Sequence, residues 1–103
     1  MYELKYLPLA IKDLHGIIDY IINILKAPKS ASNLLDDLEI SISRLRQFPF
    51  SFKIYQSVEP LETEYRMLPV KNYFVFYVVI ENIVEIHRII YARMNFEKII
   101  VGK

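Results

Sequence analysis

From Pro8 to Leu25 the apolar residues Ala10, Leu14, Ile17, Ile18, Ile21, Ile22 and Leu25 recur at spacings of four, three and one, the stripe of a helix lying on a core. Asp13, Gly16, Asp19 and Asn23 fall mostly outside it. Pro8 suits the first helical turn, where its missing N–H has no helical partner to lose, and Pro28 opens a second helix in the same way. There Ala31, Leu34, Leu35, Leu38, Ile42 and Leu45 form the next stripe. Phe48-Pro49 ends it, because proline disfavours helical geometry in the residue before it. The short link Lys26-Ala27 makes the pair an antiparallel hairpin.

The period changes elsewhere. Met1 to Tyr6 alternates apolar and charged side chains and predicts a strand that joins a sheet edge. Three further strands are predicted over 63–70, 73–80 and 83–91. The middle one, Tyr73 to Ile80, is apolar at every position and rich in aromatic and β-branched residues, so it is expected at the sheet centre, covered on both faces. A two-residue loop at Glu81-Asn82 would set Phe76 opposite His87 and Val75 opposite Arg88. The Lys71-Asn72 connection fits two or three residues, which leaves the sheet face of Arg66 open. Residues 50–62 show no period and read as a surface connection. The order strand, helix, helix, three strands defines an α+β class, with the helical hairpin packed on a mainly antiparallel sheet of about four strands. The expected unit is one domain over 1–103.

Thirteen Lys plus Arg against twelve Asp plus Glu argue against a strongly basic nucleic-acid binder, leaving room for a small basic patch. With no cysteine, disulfides, thiolate metal sites and cysteine nucleophiles are excluded, and a reducing compartment is compatible. The two histidines, His15 and His87, have no recognisable metal spacing. The apolar windows are too short for a membrane-crossing helix, so no membrane association is expected. Glu85 and His87 stand two apart on one strand, and a carboxylate beside an imidazole is the minimum equipment for acid–base cleavage of RNA. A partly buried structural histidine is the competing reading. Arg66 and Arg93 carry guanidinium forks suited to phosphate or carboxylate, or are sheet-surface arginines. Tyr91, at a strand end beside Arg93, is a surface candidate, whereas Tyr73 and Tyr77 belong to the central strand. Phe50, Phe52, Ile54 and the tail Phe96-Glu97-Lys98-Ile99-Ile100-Val101 either close the core or form a docking groove for a partner helix or strand.

Several segments together resemble the RelE/ParE superfamily of bacterial toxins. They are Leu4-Lys5-Tyr6-Leu7-Pro8-Leu9-Ala10-Ile11-Lys12-Asp13-Leu14, Tyr65-Arg66-Met67-Leu68, Asn72-Tyr73-Phe74-Val75-Phe76-Tyr77, and Val84 through Arg93. The resemblance implies the toxin of a type II toxin–antitoxin pair, cytoplasmic, without cofactor, and held inactive by a cognate antitoxin protein. RelE-like members cut messenger RNA on the ribosome with an array of positive and polar side chains; ParE-like members poison DNA gyrase. Arg66 and Arg93 match basic positions of the RNA cutters, but two further basic positions are Leu68 and Phe74 here. A phosphate clamp with two charges replaced by apolar groups stabilises a transition-state dianion less well, which favours the ParE-like alternative. On that reading Arg93, Tyr91 and Arg66 contact the target. On the alternative, a ribosome-dependent mRNA endonuclease, Arg66, Arg93, Tyr91, His87 and Glu85 form the catalytic set.

Overall fold

The computed structural model describes residues 1–101. Strand β1 (Glu3–Tyr6) leads into helix α1 (Pro8–Asp19), a π-helical turn over Tyr20–Ile24, helix α2 (Pro28–Ser43) ending in a 3₁₀ turn at Arg44–Arg46, then β2 (Arg66–Val70), β3 (Tyr73–Ile80) and β4 (Ile83–Tyr91). A last π-helical turn covers Glu97–Val101. The sheet order is β1-β4-β3-β2, with β1 parallel to β4 at one edge and both other pairings antiparallel. The α+β architecture, the helical hairpin and the central place of β3 are as the sequence pattern predicts.

Two cores flank the sheet. Ala10, Ile21, Ala31, Leu34, Leu38, Ile42 and Leu45 from the helices meet Leu68, Val70, Val75, Tyr77, Val84, Ile86 and Ile89. On the far face Met67, Phe76 and Ile90 are covered by Tyr55, Tyr65, Phe74, Phe96, Ile99 and Ile100. The apolar tail therefore closes the protein's own core.

The first helical stripe departs from expectation at its end. Ile22 and Leu25 are 38% and 55% exposed. The π turn, marked by the bond from Leu25 N to Tyr20 O at 3.1 Å, places more residues per turn than an α-helix and swings these side chains off the core. Lys26, at φ 54°, closes the turn in the left-handed region usually taken by glycine. Leu35 is also 38% exposed, at the edge of the α2 stripe.

Register supplies a second correction. Ile80 pairs with Ile83, as the two-residue loop requires, but a bulge opposite Phe76 and Tyr77 shifts the rest by one. Phe76 consequently faces Arg88 rather than His87, and Val75 faces Ile89 rather than Arg88. The extra residue on β4 is an insertion that loop length alone cannot reveal. The Lys71-Asn72 loop has two residues and pairs Arg66 with Tyr77, on the hairpin side of the sheet. Strand β2 starts three residues later than predicted, although Tyr55 N to Tyr65 O (2.7 Å) and Met67 N to Lys53 O (3.0 Å) extend its pairing into the preceding loop.

Candidate functional site

Strand β1 ends at Tyr6, and Leu7 N bonds Ile86 O at 2.9 Å, so beyond Ile86 the outer edge of β4 has no strand beside it among the described residues. Asp13 of α1 occupies part of that gap. Its carboxylate accepts two bonds from the Arg88 guanidinium (2.7 and 2.9 Å) and one from the backbone N–H of Ile89 (3.0 Å). One acidic side chain thus ties α1 to β4 just after the bulge, and holds the Arg88 pKa above its ordinary value. The tie forms part of the wall of an open groove of about 1190 Å³ between the hairpin and the C-terminal ends of the sheet, lined among others by Lys12, Tyr20, Tyr73, Tyr91 and Met94. Tyr73 and Tyr91 pack ring to ring at 5.6 Å. Burial, and then the neighbouring Tyr91 and Tyr20 hydroxyls, raise the Tyr73 pKa.

Tyr91 is 39% exposed at this rim. Arg93 follows it in an exposed turn and has no hydrogen bond or ion pair to a described residue. Arg66 lies elsewhere. Its cross-strand partner Tyr77 is four residues along β3 from Tyr73, about 13 Å at the usual strand rise. The Arg66 guanidinium donates to Phe52 O (2.8 Å), sits 5.0 Å from the Phe50 ring and lies 3.6 Å from Glu64. Phe50 itself is 57% exposed, while Phe52 packs against the core.

Glu85 and His87 form a third group. His87 Nε2 is 3.0 Å from Glu85 Oε1, and Nδ1 is 3.3 Å from the Tyr65 hydroxyl. The Tyr65 ring meets the imidazole edge to face at 5.2 Å. Both imidazole nitrogens are therefore engaged within the protein. Among the described residues, no three His, Cys, Asp or Glu side chains are grouped to hold a metal ion. No helix among the described residues is long and apolar enough to cross a membrane. The five residues singled out in sequence thus occupy three places, and of them Tyr91 lines the groove, with Arg93 two residues further along the chain. The groove itself went unforeseen; Asp13, an acid at the margin of an apolar stripe, was its only visible sign.

The family model for the ParE toxin of the type II toxin–antitoxin system parDE matches residues 4–96. The chain belongs to the ParE toxin family. A solved chain from the chromosomal ParDE toxin–antitoxin system of P. aeruginosa superposes with a TM-score of 0.71 at 21% identity, over 90% of this chain and 98% of that one. A chain from the E. coli DinJ-YafQ complex gives 0.60 at 11% identity, over 88% and 93% respectively. At such identities these two establish a shared fold. No curated protein sequence matches the chain. Leu68 and Phe74, the two apolar residues that the resemblance set against basic positions of RNA cutters, lie in the two cores: Leu68 is 2% exposed beneath the hairpin, and Phe74 meets Phe96 edge to face at 5.7 Å on the far face.

Proposed function

We propose that this ParE-family toxin acts by binding, with DNA gyrase as its target, and that a cognate antitoxin neutralises it. The observation that carries the reading is the packing of Leu68 and Phe74 into the cores, which leaves no charge at two positions where an RNA-cutting relative would hold phosphate. Arg66, tied to Phe52 O and stacked on Phe50, is committed to the protein's own loop. Arg93 and Tyr91 remain as contact groups, a guanidinium suited to acidic side chains beside an amphipathic ring. The groove next to them suits an amphipathic antitoxin segment, apolar groups toward Tyr20 and Tyr73 and polar ones toward Lys12. Both structural relatives, one from a ParDE system and one from a DinJ-YafQ complex, come from toxin–antitoxin or two-protein assemblies, which supports a protein partner.

A second reading rests on the Tyr65–His87–Glu85 group, which places a proton carrier between a phenol and a carboxylate. The two readings separate in one experiment. Purified toxin is assayed for inhibition of gyrase supercoiling and for mRNA cleavage on translating ribosomes, with Arg93→Ala and His87→Ala alongside. Gyrase inhibition lost in Arg93→Ala and retained in His87→Ala supports the binding poison. Cleavage on ribosomes that falls about 100-fold or more in folded His87→Ala, with gyrase untouched, replaces it with the endonuclease.

A further inference from the structure

The C-terminal turn is held in an unusual way. A single helical turn of five residues cannot sustain itself, since isolated helices shorter than about 12 residues are marginal in water. Tertiary contacts must fix it, and two kinds are present. Phe96 stacks edge to face on Phe76, Phe74 and Tyr55, with ring centroids 5.1, 5.7 and 6.2 Å apart, while Ile99 and Ile100 join it over Met67 and Ile90. The other contact is one carboxylate. Glu97 accepts hydrogen bonds from the Tyr55 hydroxyl, from Ser57 Oγ (2.7 Å) and from the backbone N–H of Val58 (3.0 Å), and the backbone N–H of Glu59 also bonds it. All four donors come from residues 55–59, a stretch without helix or strand. Bonds to an ionised acceptor are roughly twice as strong as neutral ones, so this cradle is a strong attachment between two segments that are otherwise weakly organised.

We propose that Glu97 is a latch: its carboxylate, seated in the 55–59 cradle, holds the C-terminal turn as a detachable cap over the second apolar face of the sheet. When the carboxylate leaves the cradle, the turn is held, among the described side chains, by Phe96, Ile99 and Ile100, and the loop that supplies the donors is released with it. Met67, Phe76 and Ile90 then lose their cover, while the helical hairpin, which makes none of these contacts, stays packed. The lowered pKa of Glu97, caused first by the Tyr55 bond and then by Ser57, agrees with a carboxylate held in its charged form.

Lys98 supplies the readout, because trypsin can cut after it only when the turn opens. Limited trypsin digestion followed by mass spectrometry is run on the full-length parent, Glu97→Ala, Tyr55→Phe and Ser57→Ala, with cleavage after Lys5 and Arg46 as references for the rest of the domain. Cutting after Lys98 is expected to accelerate about tenfold in Glu97→Ala and by a smaller factor in the two donor variants, with the reference sites unchanged. Equal rates at Lys98 in all four proteins overturn the latch. So does an acceleration of the same size at Lys98, Lys5 and Arg46 in the donor variants, since that reports global unfolding rather than a local opening.

Discussion

The two faces of the sheet are built from different materials. The hairpin face is aliphatic, with Ala, Leu, Ile and Val at nearly every buried position, and the elements that cover it are long regular helices. The far face is aromatic, covered by a loop and a five-residue turn, and its polar groups are bonded in pairs, Tyr55 to Glu97 and Tyr65 to His87. Aliphatic helices on a sheet make one cooperative unit, because each side chain loses all its neighbours together. A cover of short segments can open piecemeal, since its parts are joined by a few discrete bonds. The difference predicts that damage on the first face is global and on the second local.

The largest effect is expected from Ile21→Asp. Ile21 is 7% exposed within the π turn and belongs to the hairpin core. A carboxylate there replaces an apolar side chain packed in the hairpin core, and burying it costs more than about 3 kcal/mol, a large share of a small domain's stability. Circular dichroism melts of the variant should show the cooperative transition lost or displaced far downward. A melt within a few degrees of the parent would mean that the hairpin face is not the cooperative unit.

Asp13→Asn tests the joint between hairpin and sheet. An amide keeps one acceptor for Arg88 or Ile89 N but removes the charge, leaving a partly buried guanidinium without its counter-ion. A loss of about 1–3 kcal/mol in denaturant melts is expected, still in a single transition. Because the pair forms part of the groove wall, antitoxin binding should weaken as well. Two transitions would show that α1 and β4 are less tightly joined than one shared carboxylate implies.

The contrast between the faces also explains what could be foreseen. The hairpin and β3 follow from periodicity: stripes at helical spacing, and the unbroken apolar run from Tyr73 to Ile80. A register shift has no such signature. The bulge beside His87 is set by tertiary fit, and the Asp13 carboxylate 75 residues away in sequence bonds the neighbouring Arg88. The far-face cover was legible only as composition, since Phe96, Ile99 and Ile100 announce that something apolar needs burying without saying where. The same limit applies to the site. Arg66 and Arg93 looked alike as cations in sequence, and only the loop carrying Phe50 and Phe52 shows that one is bound up within the protein.

Phe96→Ala should have a modest global effect for a large side chain. Removing a buried phenylalanine from a rigid core costs about 3–5 kcal/mol, but here the ring lies in a cover that can yield, so less than about 2 kcal/mol is expected in the main transition. Hydrogen exchange should accelerate at Ile99, whose amide bonds Asn95 O at 3.2 Å, while Val84 and Ile86 retain their protection. A full core penalty would join the two faces into one unit.

Acid provides the smallest and most local perturbation. The folded protein depresses the Glu97 pKa below its ordinary value of 4.5, first through the Tyr55 bond and then the Ser57 bond, with burial opposing them and the Val58 and Glu59 N–H bonds adding smaller contributions. A depressed folded pKa means that the contribution is fully present above the unfolded value. It is lost as pH falls through the folded one, so the window lies below 4.5. Tyr55 cannot compensate by ionising, because burial and the adjacent carboxylate push its pKa up to about 12. The other charged side chains along the two segments are Glu59 and Lys98. Nuclear magnetic resonance across this range should show the Phe96 and Tyr55 ring signals moving together toward exposed positions. The methyl signals of Leu38, Val84 and Ile86 should hold until the whole domain unfolds at lower pH. In Glu97→Gln the ring signals should already be shifted at neutral pH and respond little to acid. If rings and methyls instead moved in a single step in the parent, the carboxylate would be supporting the entire fold, and the division between a cooperative face and a local one would fail.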